Sequence, residues 1–114
     1  MNIAASHKLS ITCLDFRPLV RNTLRGFATI KIRELRLEIC DVTLHQKGAA
    51  RWVQLPAKPQ VRDGALVKDD AGKIQYVHIM DFDSREVRDA FSRACIDAVT
   101  RAFPDAFEDG EVAA

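Results

Sequence analysis

The 114-residue chain lacks the sequence features that mark several large functional classes. It has no run of roughly 18 apolar residues, which is the length that a membrane-spanning helix needs. Its first residues, MNIAASHKLSIT, contain no long apolar run behind a basic start, so we expect no secretory signal. The patterns GxGxxG and GxxxxGK[ST] are also missing, and we therefore expect no cradle for nucleotide phosphates.

Cysteine is scarce and is not paired along the sequence. The three cysteines, Cys13, Cys40 and Cys95, are far apart and form no CxxC motif. An odd number at this spacing argues for reduced thiols, and against a disulfide framework or a zinc site. We expect a cytoplasmic protein with no metal and no cofactor.

Histidine occurs three times, and no copy stands in a pattern typical of catalysis. His7 lies near the N-terminus and His45 at the end of a predicted hairpin loop. His78 shares a strand face with apolar residues, as a histidine of a core or an interface does. The carboxylate pairs Asp69–Asp70 and Asp81–Asp83 fall in a predicted turn and at a predicted helix start. We therefore expect a protein that is not an enzyme and has no small-molecule substrate.

Alternating apolar and polar residues, the pattern of half-buried strands, fill the front of the chain. Leu9–Cys13 predicts a first strand. Residues 17–26 are expected to form a connection, because they contain the turn residues Pro18, Asn22 and Gly26.

The next stretch predicts two strands joined by a tight reversal. Ala28–Ile32 forms one strand, and the polar pair Arg33–Glu34 marks the reversal. The apolar residues of the following strand change phase at Cys40–Asp41, where no turn residue occurs. We interpret residues 35–44 as one long strand with a β-bulge, the alternative being two short strands with a kink.

The middle of the chain predicts a hairpin followed by irregular structure. His45–Ala50 is expected to be a hairpin loop with Gly48 at its tip, and Arg51–Leu55 a short strand. The segment LPAKP is expected to be extended and without a sheet partner, because proline lacks a backbone N–H. Residues 60–72 are expected to be a polar loop.

The last third predicts a strand and then a helix. Lys73–Phe82 alternates like a strand, and Asp83 with Glu86 forms a capping box. Apolar residues at helical spacing follow until Pro104 ends the helix.

Together these patterns predict one α+β domain over residues 1–114. It consists of an antiparallel curved β-sheet of about five strands followed by one C-terminal α-helix packed on the sheet. The strands are expected within residues 8–82, the helix over 84–103, and an acidic mobile tail over 104–114.

Charge is distributed unevenly, although the net charge is only +1. Residues 17–51 contain eight basic and three acidic residues, whereas residues 81–114 contain nine acidic residues and four arginines. Basic segments attract phosphates, so we expect a nucleic-acid-binding surface with weak sequence selectivity. Its candidate cations are Arg21, Arg25, Lys31, Arg33, Arg36, Arg51 and Lys58.

Three aromatic side chains are candidates for stacking on bases: Phe27, Trp52 and Tyr76. For Trp52, a place in the core or in an interface is the alternative. Single strands are favoured over duplex, because the sequence predicts no helix with the basic, base-reading face of a groove-inserting motif.

Three stretches carry motifs that resemble those of a known family. Val20–Ile32 (VRNTLRGFATIKI) contains an RVNT-like run, and Leu35–Leu44 (LRLEICDVTL) has Cys40–Asp41 where an apolar strand is interrupted. Trp52–Gly64 (WVQLPAKPQVRDG) is similar to a Pro-Ser-Lys segment. In this order they resemble the SpoVG family, small bacterial regulators called septation proteins.

The resemblance implies a dimer that binds DNA and RNA and regulates gene expression. Lys58 matches the lysine of the family's basic cluster, whereas Pro59 stands where the family has an arginine. Two other interpretations stay open. One is the architecture of the single-strand-binding transcriptional coactivators, four curved strands and a helix. The other is a non-catalytic protein-interaction or structural module that docks a partner through the helix or the sheet face.

We predict a homodimer. The apolar face of the helix is wider than one small sheet would cover, and it comprises Val87, Phe91, Ala94, Ile96, Val99 and Phe103. Sedimentation at micromolar concentration should therefore give the mass of two chains. A monomer mass, with these side chains buried within one chain, would contradict the prediction.

Overall fold

The computed structural model describes residues 10–107 and shows a four-stranded antiparallel sheet with one long helix packed against it. The main elements are β1 (Ile11–Arg21), β2 (Leu24–Ile32), β3 (Leu37–Lys47), β4 (Ala50–Gln54) and α1 (Arg85–Ala102). The strands lie in the order of the chain. The expected α+β class with a C-terminal helix on the sheet is confirmed. Leu9, the predicted start of the first strand, lies outside the described residues.

Short strands between β4 and α1 form two small sheets. These strands are β5 (Ala57–Pro59), β6 (Val61–Arg62), β7 (Ala65–Leu66) and β8 (Tyr76–His78). β5 pairs with β8, and β6 pairs with β7. A single bridge joins Lys68 to Ile74. We call residues 57–78 the arm.

Three expectations for this region were wrong. The proline-bounded segment has a sheet partner, since Pro59 pairs with Tyr76; a proline lacks only its own N–H, and a strand at an edge tolerates that loss. The expected final strand over 73–82 is reduced to β8 and does not join the main sheet. Residues 60–72 contain a hairpin, because Asp63 and Gly64 both adopt positive φ, as a two-residue hairpin turn requires.

The hairpin of β1 and β2 is longer than expected. Of residues 17–26, only Asn22 and Thr23 lie outside the two strands, so most of the predicted connection is strand. Pro18 is tolerated because β1 is an edge strand of the sheet.

Gly26 serves close packing and not a turn. A Cβ atom on Gly26 would lie 2.5 Å from the carbonyl oxygen of Arg17 and 2.6 Å from the ring of Phe16. Any side chain at this position would push the two strands or the ring apart.

The predicted β-bulge is confirmed. Cys40 and Asp41 of β3 lie opposite Thr29 alone, and regular pairing with β2 continues on both sides. Asp41 has a φ of 59°, in the left-handed region. β3 is therefore one continuous strand whose phase changes once.

Both reversals flanking β3 lie where the sequence predicts them. Arg33–Leu35 forms a single 3₁₀ turn, closed by Arg36 in the left-handed region. The turn after β3 contains only Gly48 and Ala49, so the expected loop over His45–Ala50 is too long, and His45 belongs to the strand.

The helix begins one residue later than the predicted capping box. Ser84 is the N-cap, and its Oγ accepts a hydrogen bond from the backbone N–H of Val87 at 3.4 Å. The expectation for Asp83 was therefore wrong, and Glu86 lies in the first turn, near the positive end of the helix dipole. Within residues 10–107, no helix is long and apolar enough to cross a membrane.

The core lies between α1 and one face of the sheet. The helix buries Phe91, Cys95, Ala98 and Val99. They pack with buried sheet residues, namely Ile11, Cys13, Phe16, Ala28, Ile30, Ile32, Ile39, Val42 and Leu44. The Oγ atom of Ser92 also accepts a hydrogen bond from the backbone N–H of Val53 at 3.0 Å, which ties β4 to the helix.

The chain's own sheet covers much of the apolar face of the helix. Phe91 and Val99 are buried, and Ala94, Ile96 and Phe103 pack partly against the core. This coverage removes much of the basis for the homodimer, which stays a prediction.

The beginning of the expected mobile tail belongs to the core. Ala106 and Phe107 are only 4% and 2% exposed, and the guanidinium of Arg51 lies 4.5 Å from the centre of the Phe107 ring. The expected tail therefore does not include Ala106 and Phe107, because the phenylalanine among the acidic residues supplies apolar surface to bury. Residues 108–114 lie outside the described part.

We predict that only Cys40 reacts with a thiol reagent in the native protein. Cys40 is exposed, whereas burial raises the pKa of the Cys13 thiol and raises that of Cys95 to about 12. The thiolate is the reactive form, so the two buried cysteines should react only after unfolding. Counting modified thiols by mass spectrometry tests this, with Cys40→Ser as the variant that should remain unlabelled. Rapid native modification of a second thiol would contradict the described core.

Candidate nucleic-acid interface

The face of the main sheet opposite α1 is free of the helix, and we call it the outer face. Residues directly opposite each other in an antiparallel pair share a face, so the strand register identifies its members. They are Thr12, Asp15, Arg17, Arg21, Leu24, Phe27, Thr29, Lys31, Glu38, Asp41, Thr43, His45, Trp52 and Gln54. Their charges are mixed, so this face is not uniformly basic.

A groove of about 1080 Å³ lies between the outer face, the arm and the first half of α1. Phe27 lines it from β2, Trp52 from β4 and Tyr76 from β8. Tyr76 is 60% exposed and therefore accessible to a ligand. The structure thus brings together the three rings that the sequence selected as stacking candidates.

Trp52 is held by a stacked histidine. The rings of His45 and Trp52 lie 5.5 Å apart between centroids, with an angle of 8° between their planes. Thr23 Oγ1 lies 3.0 Å from Nδ1 of His45, and Thr43 Oγ1 lies 3.0 Å from Nε2. A neutral imidazole has one donor and one acceptor, so one threonine donates to the ring and the other accepts from it. These contacts fix the plane of the Trp52 ring.

His45 is a site residue that the sequence reasoning missed, because it was assigned to a loop. Burial lowers the pKa of His45 below its usual 6.5, and the nearby positive charge of Arg25 lowers it further. Extending the alternation of Val42 and Leu44 by one residue would have placed His45 on the outer face.

A charged pair lies above Phe27. Nη2 of Arg17 donates to Oδ1 of Asp41 at 2.6 Å, and the guanidinium carbon lies 5.5 Å from the centre of the Phe27 ring. Both charged side chains are more than half exposed, so water screens the pair and it adds little stability. The ion pair matters for the arrangement of the site, since it holds a carboxylate and a planar cation beside an aromatic ring. The sequence identified Asp41 as part of a bulge but not as part of a site.

Five of the seven candidate cations lie at the two ends of β2. Arg21 and Arg25 flank the turn between β1 and β2. Lys31 is the last outer-face residue of β2, and Arg33 and Arg36 lie in the reversal that follows this strand. The eight residue steps of β2 separate these two ends by roughly 26 Å. The cations therefore form two groups and not one patch.

The remaining two candidates lie elsewhere. Arg51 stands on the helix side of the sheet, against Phe107. Lys58 is exposed on the arm, in β5. The guanidinium of Arg25 already makes hydrogen bonds within the chain, because its Nη1 donates to the backbone oxygens of Asn22 at 2.8 Å and Leu24 at 2.9 Å.

The groove itself is not basic. Its charged lining consists of two arginines, Arg17 and Arg88, and three aspartates, Asp41, Asp81 and Asp89. These five side chains carry a net charge of only −1, whereas the candidate cations are concentrated at the two ends of β2.

His78 also lines the groove and is exposed, so it is not a core residue, and the alternative, a position in an interface, stays a prediction. It lies on the arm, away from the main core, because β8 pairs only with β5. Among residues 10–107, no three histidine, cysteine or acidic side chains are grouped so that they could hold a metal ion.

Comparison with known proteins identified no relative of this chain. No family model, no curated protein and no solved structure matches the chain. The resemblance to the SpoVG family therefore stays a prediction.

We predict that the free energy of unfolding falls as the pH decreases through the range just below 6.5. In this range the unfolded chain binds a proton at His45 more readily than the folded chain does, because burial lowers the pKa in the fold. Denaturant titrations between about pH 7.5 and 5 should show a smaller decrease for His45→Gln than for the wild type. The control His78→Gln, at an exposed position, should keep the wild-type decrease. Equal pH profiles for the wild type and His45→Gln would contradict the prediction.

Proposed function

We propose that the protein binds single-stranded nucleic acid, with bases stacked in the groove and phosphates near the two basic ends of the sheet. The observation that carries this proposal is the grouping of Phe27, Trp52 and Tyr76 along one open groove. Through this binding it would regulate gene expression in the cytoplasm as a homodimer, as the resemblance to the SpoVG family implies.

The aromatic lining supports base stacking. Stacking on an aromatic side chain contributes about 1–3 kcal/mol per base and tolerates any base, because every base has a π face. The stack of His45 on Trp52 keeps the Trp52 ring in one orientation, so little entropy is lost when a base contacts it. Weak sequence selectivity follows from contacts of this kind.

The distribution of charge favours one orientation of the bound strand. The groove has three aspartates and two arginines and therefore offers phosphates no net attraction, whereas the arginines and the lysine at the ends of β2 attract them. A strand that follows the outer face therefore turns its bases inward and keeps its backbone at the rim. The separation of the two basic groups, roughly 26 Å, suits a segment of several nucleotides.

A protein-interaction module is the second candidate function. The segment after β8 exposes Ile79 at 57% and Met80 at 42%, and Met80 lines the groove beside Tyr76. Exposed apolar side chains at a groove are typical of a surface that docks a peptide.

We predict that the triple variant Lys31→Ala, Arg33→Ala, Arg36→Ala binds a single-stranded oligonucleotide more weakly than the wild type at low salt. Each phosphate contact to a single strand contributes about 0.7 to the slope of log K against log salt. Removing three contacts should therefore reduce the slope by about 2 in a fluorescence-anisotropy titration.

The matched control removes three exposed cations from the arm and from the helix: Lys68→Ala, Lys73→Ala and Arg93→Ala. It changes the net charge equally and should leave the slope nearly unchanged. If the wild type binds neither DNA nor RNA, or if the first variant binds as well as the wild type, the interaction module becomes the better account.

A further inference from the structure

We propose that the groove prefers guanine at the position beside Phe27, and that Asp41 is the residue that selects it. This inference rests on the proposed function, and it assigns a base to one position of the same groove. The preference depends on where the β-bulge places a carboxylate and on which base edge a carboxylate can bind.

The bulge brings Asp41 to the outer face. Two residues, Cys40 and Asp41, stand opposite Thr29, and both are exposed while the residues on either side of them are buried. Asp41 consequently lines the groove together with Phe27 and reaches across β2 to Arg17. A carboxylate thus stands beside the guanidinium that lies over the Phe27 ring.

The Asp41 carboxylate keeps capacity to accept hydrogen bonds. Arg17 engages Oδ1, and within residues 10–107 no second side chain bonds to Oδ2. A carboxylate has about four lone-pair sites, and the Asp41 side chain is 62% exposed. Arg17 adds a second stacking surface, because bases stack on guanidinium planes as well as on aromatic rings.

Guanine is the base whose edge fits a carboxylate. Its Watson–Crick edge presents two neighbouring donors, N1–H and the N2 amino group, to the two oxygens. Adenine and cytosine each present one amino donor beside a ring nitrogen whose lone pair faces the carboxylate. Thymine and uracil present one N–H between two carbonyl oxygens. With these four bases a carboxylate gains at most one hydrogen bond and meets at least one repulsive lone pair.

The other two aspartates of the groove are less suited to this role. Oδ1 of Asp81 accepts the backbone N–H of Phe82 at 2.8 Å, and Asp89 lies 3.9 Å from Nε of Arg85 on the same helix. Neither residue belongs to the outer face, where Phe27 lies. Asp41 is therefore the carboxylate that combines an adjacent ring with open acceptors.

The test uses single-stranded thymidine oligonucleotides that differ at one central position. Their length is about ten nucleotides, which is within the usual site size of a single-strand-binding fold. Three probes are compared. One carries guanine at the central position, one carries inosine, and one carries 7-deazaguanine. Inosine lacks the N2 amino group of guanine, and 7-deazaguanine lacks the N7 acceptor. We expect the wild type to bind the guanine probe about tenfold more tightly than the inosine probe, and the 7-deazaguanine probe as tightly as guanine.

Two matched variants distinguish selection of the base by Asp41 from the general effect of removing one negative charge from the groove. Asp41→Asn removes the carboxylate, and asparagine tolerates the left-handed backbone of this position. We expect it to bind the guanine and inosine probes equally. Asp89→Asn removes the same charge from the groove and should retain the tenfold ratio.

Three results would overturn the inference. If the wild type binds all probes equally, the groove stacks bases without selecting guanine, and the proposed function survives alone. If 7-deazaguanine loses the preference and inosine keeps it, the N7 edge is recognised and Asp41 is not the selecting residue. If no probe binds at any salt concentration, the proposed function fails together with this inference.

Discussion

One inserted residue in β3 determines which side chains that strand buries. Side chains alternate along a strand, so a strand without the bulge at Cys40–Asp41 could not direct both Ile39 and Val42 toward the helix. With the extra residue, both are buried against α1. The same insertion leaves Asp41 on the outer face. The helix packing and the composition of the groove therefore have a common origin.

The two faces of the sheet differ in composition: one supplies the core, and the other carries part of the groove in which we propose that bases bind. The helix side collects nearly all of the buried apolar residues, including Phe107 from beyond the helix. The outer face has rings and mixed charges, held by local contacts such as the stack of His45 on Trp52. Substitutions on the outer face can change binding with little effect on the core, because the two sets of side chains point in opposite directions.

Local patterns in the sequence predicted the helix, the bulge and the reversal at residue 33, because each depends on neighbours in the chain. The arm could not be predicted, since the pairing of Pro59 with Tyr76 joins residues distant in sequence. For the site, composition indicated the three rings but not their common groove. A count of basic residues could not show that Arg21 and Arg36 lie at opposite ends of the sheet, because that separation depends on strand lengths.

The two edges of the main sheet differ in how they are protected. At β4, the Ser92 hydroxyl accepts the backbone N–H of Val53, so the helix occupies part of that edge. At β1, Pro18 and two interruptions of the register break the row of regularly spaced backbone groups. Neither edge offers a long, regular template to a strand from another molecule. Within residues 10–107, the two edges are therefore poor templates for edge-to-edge pairing between molecules.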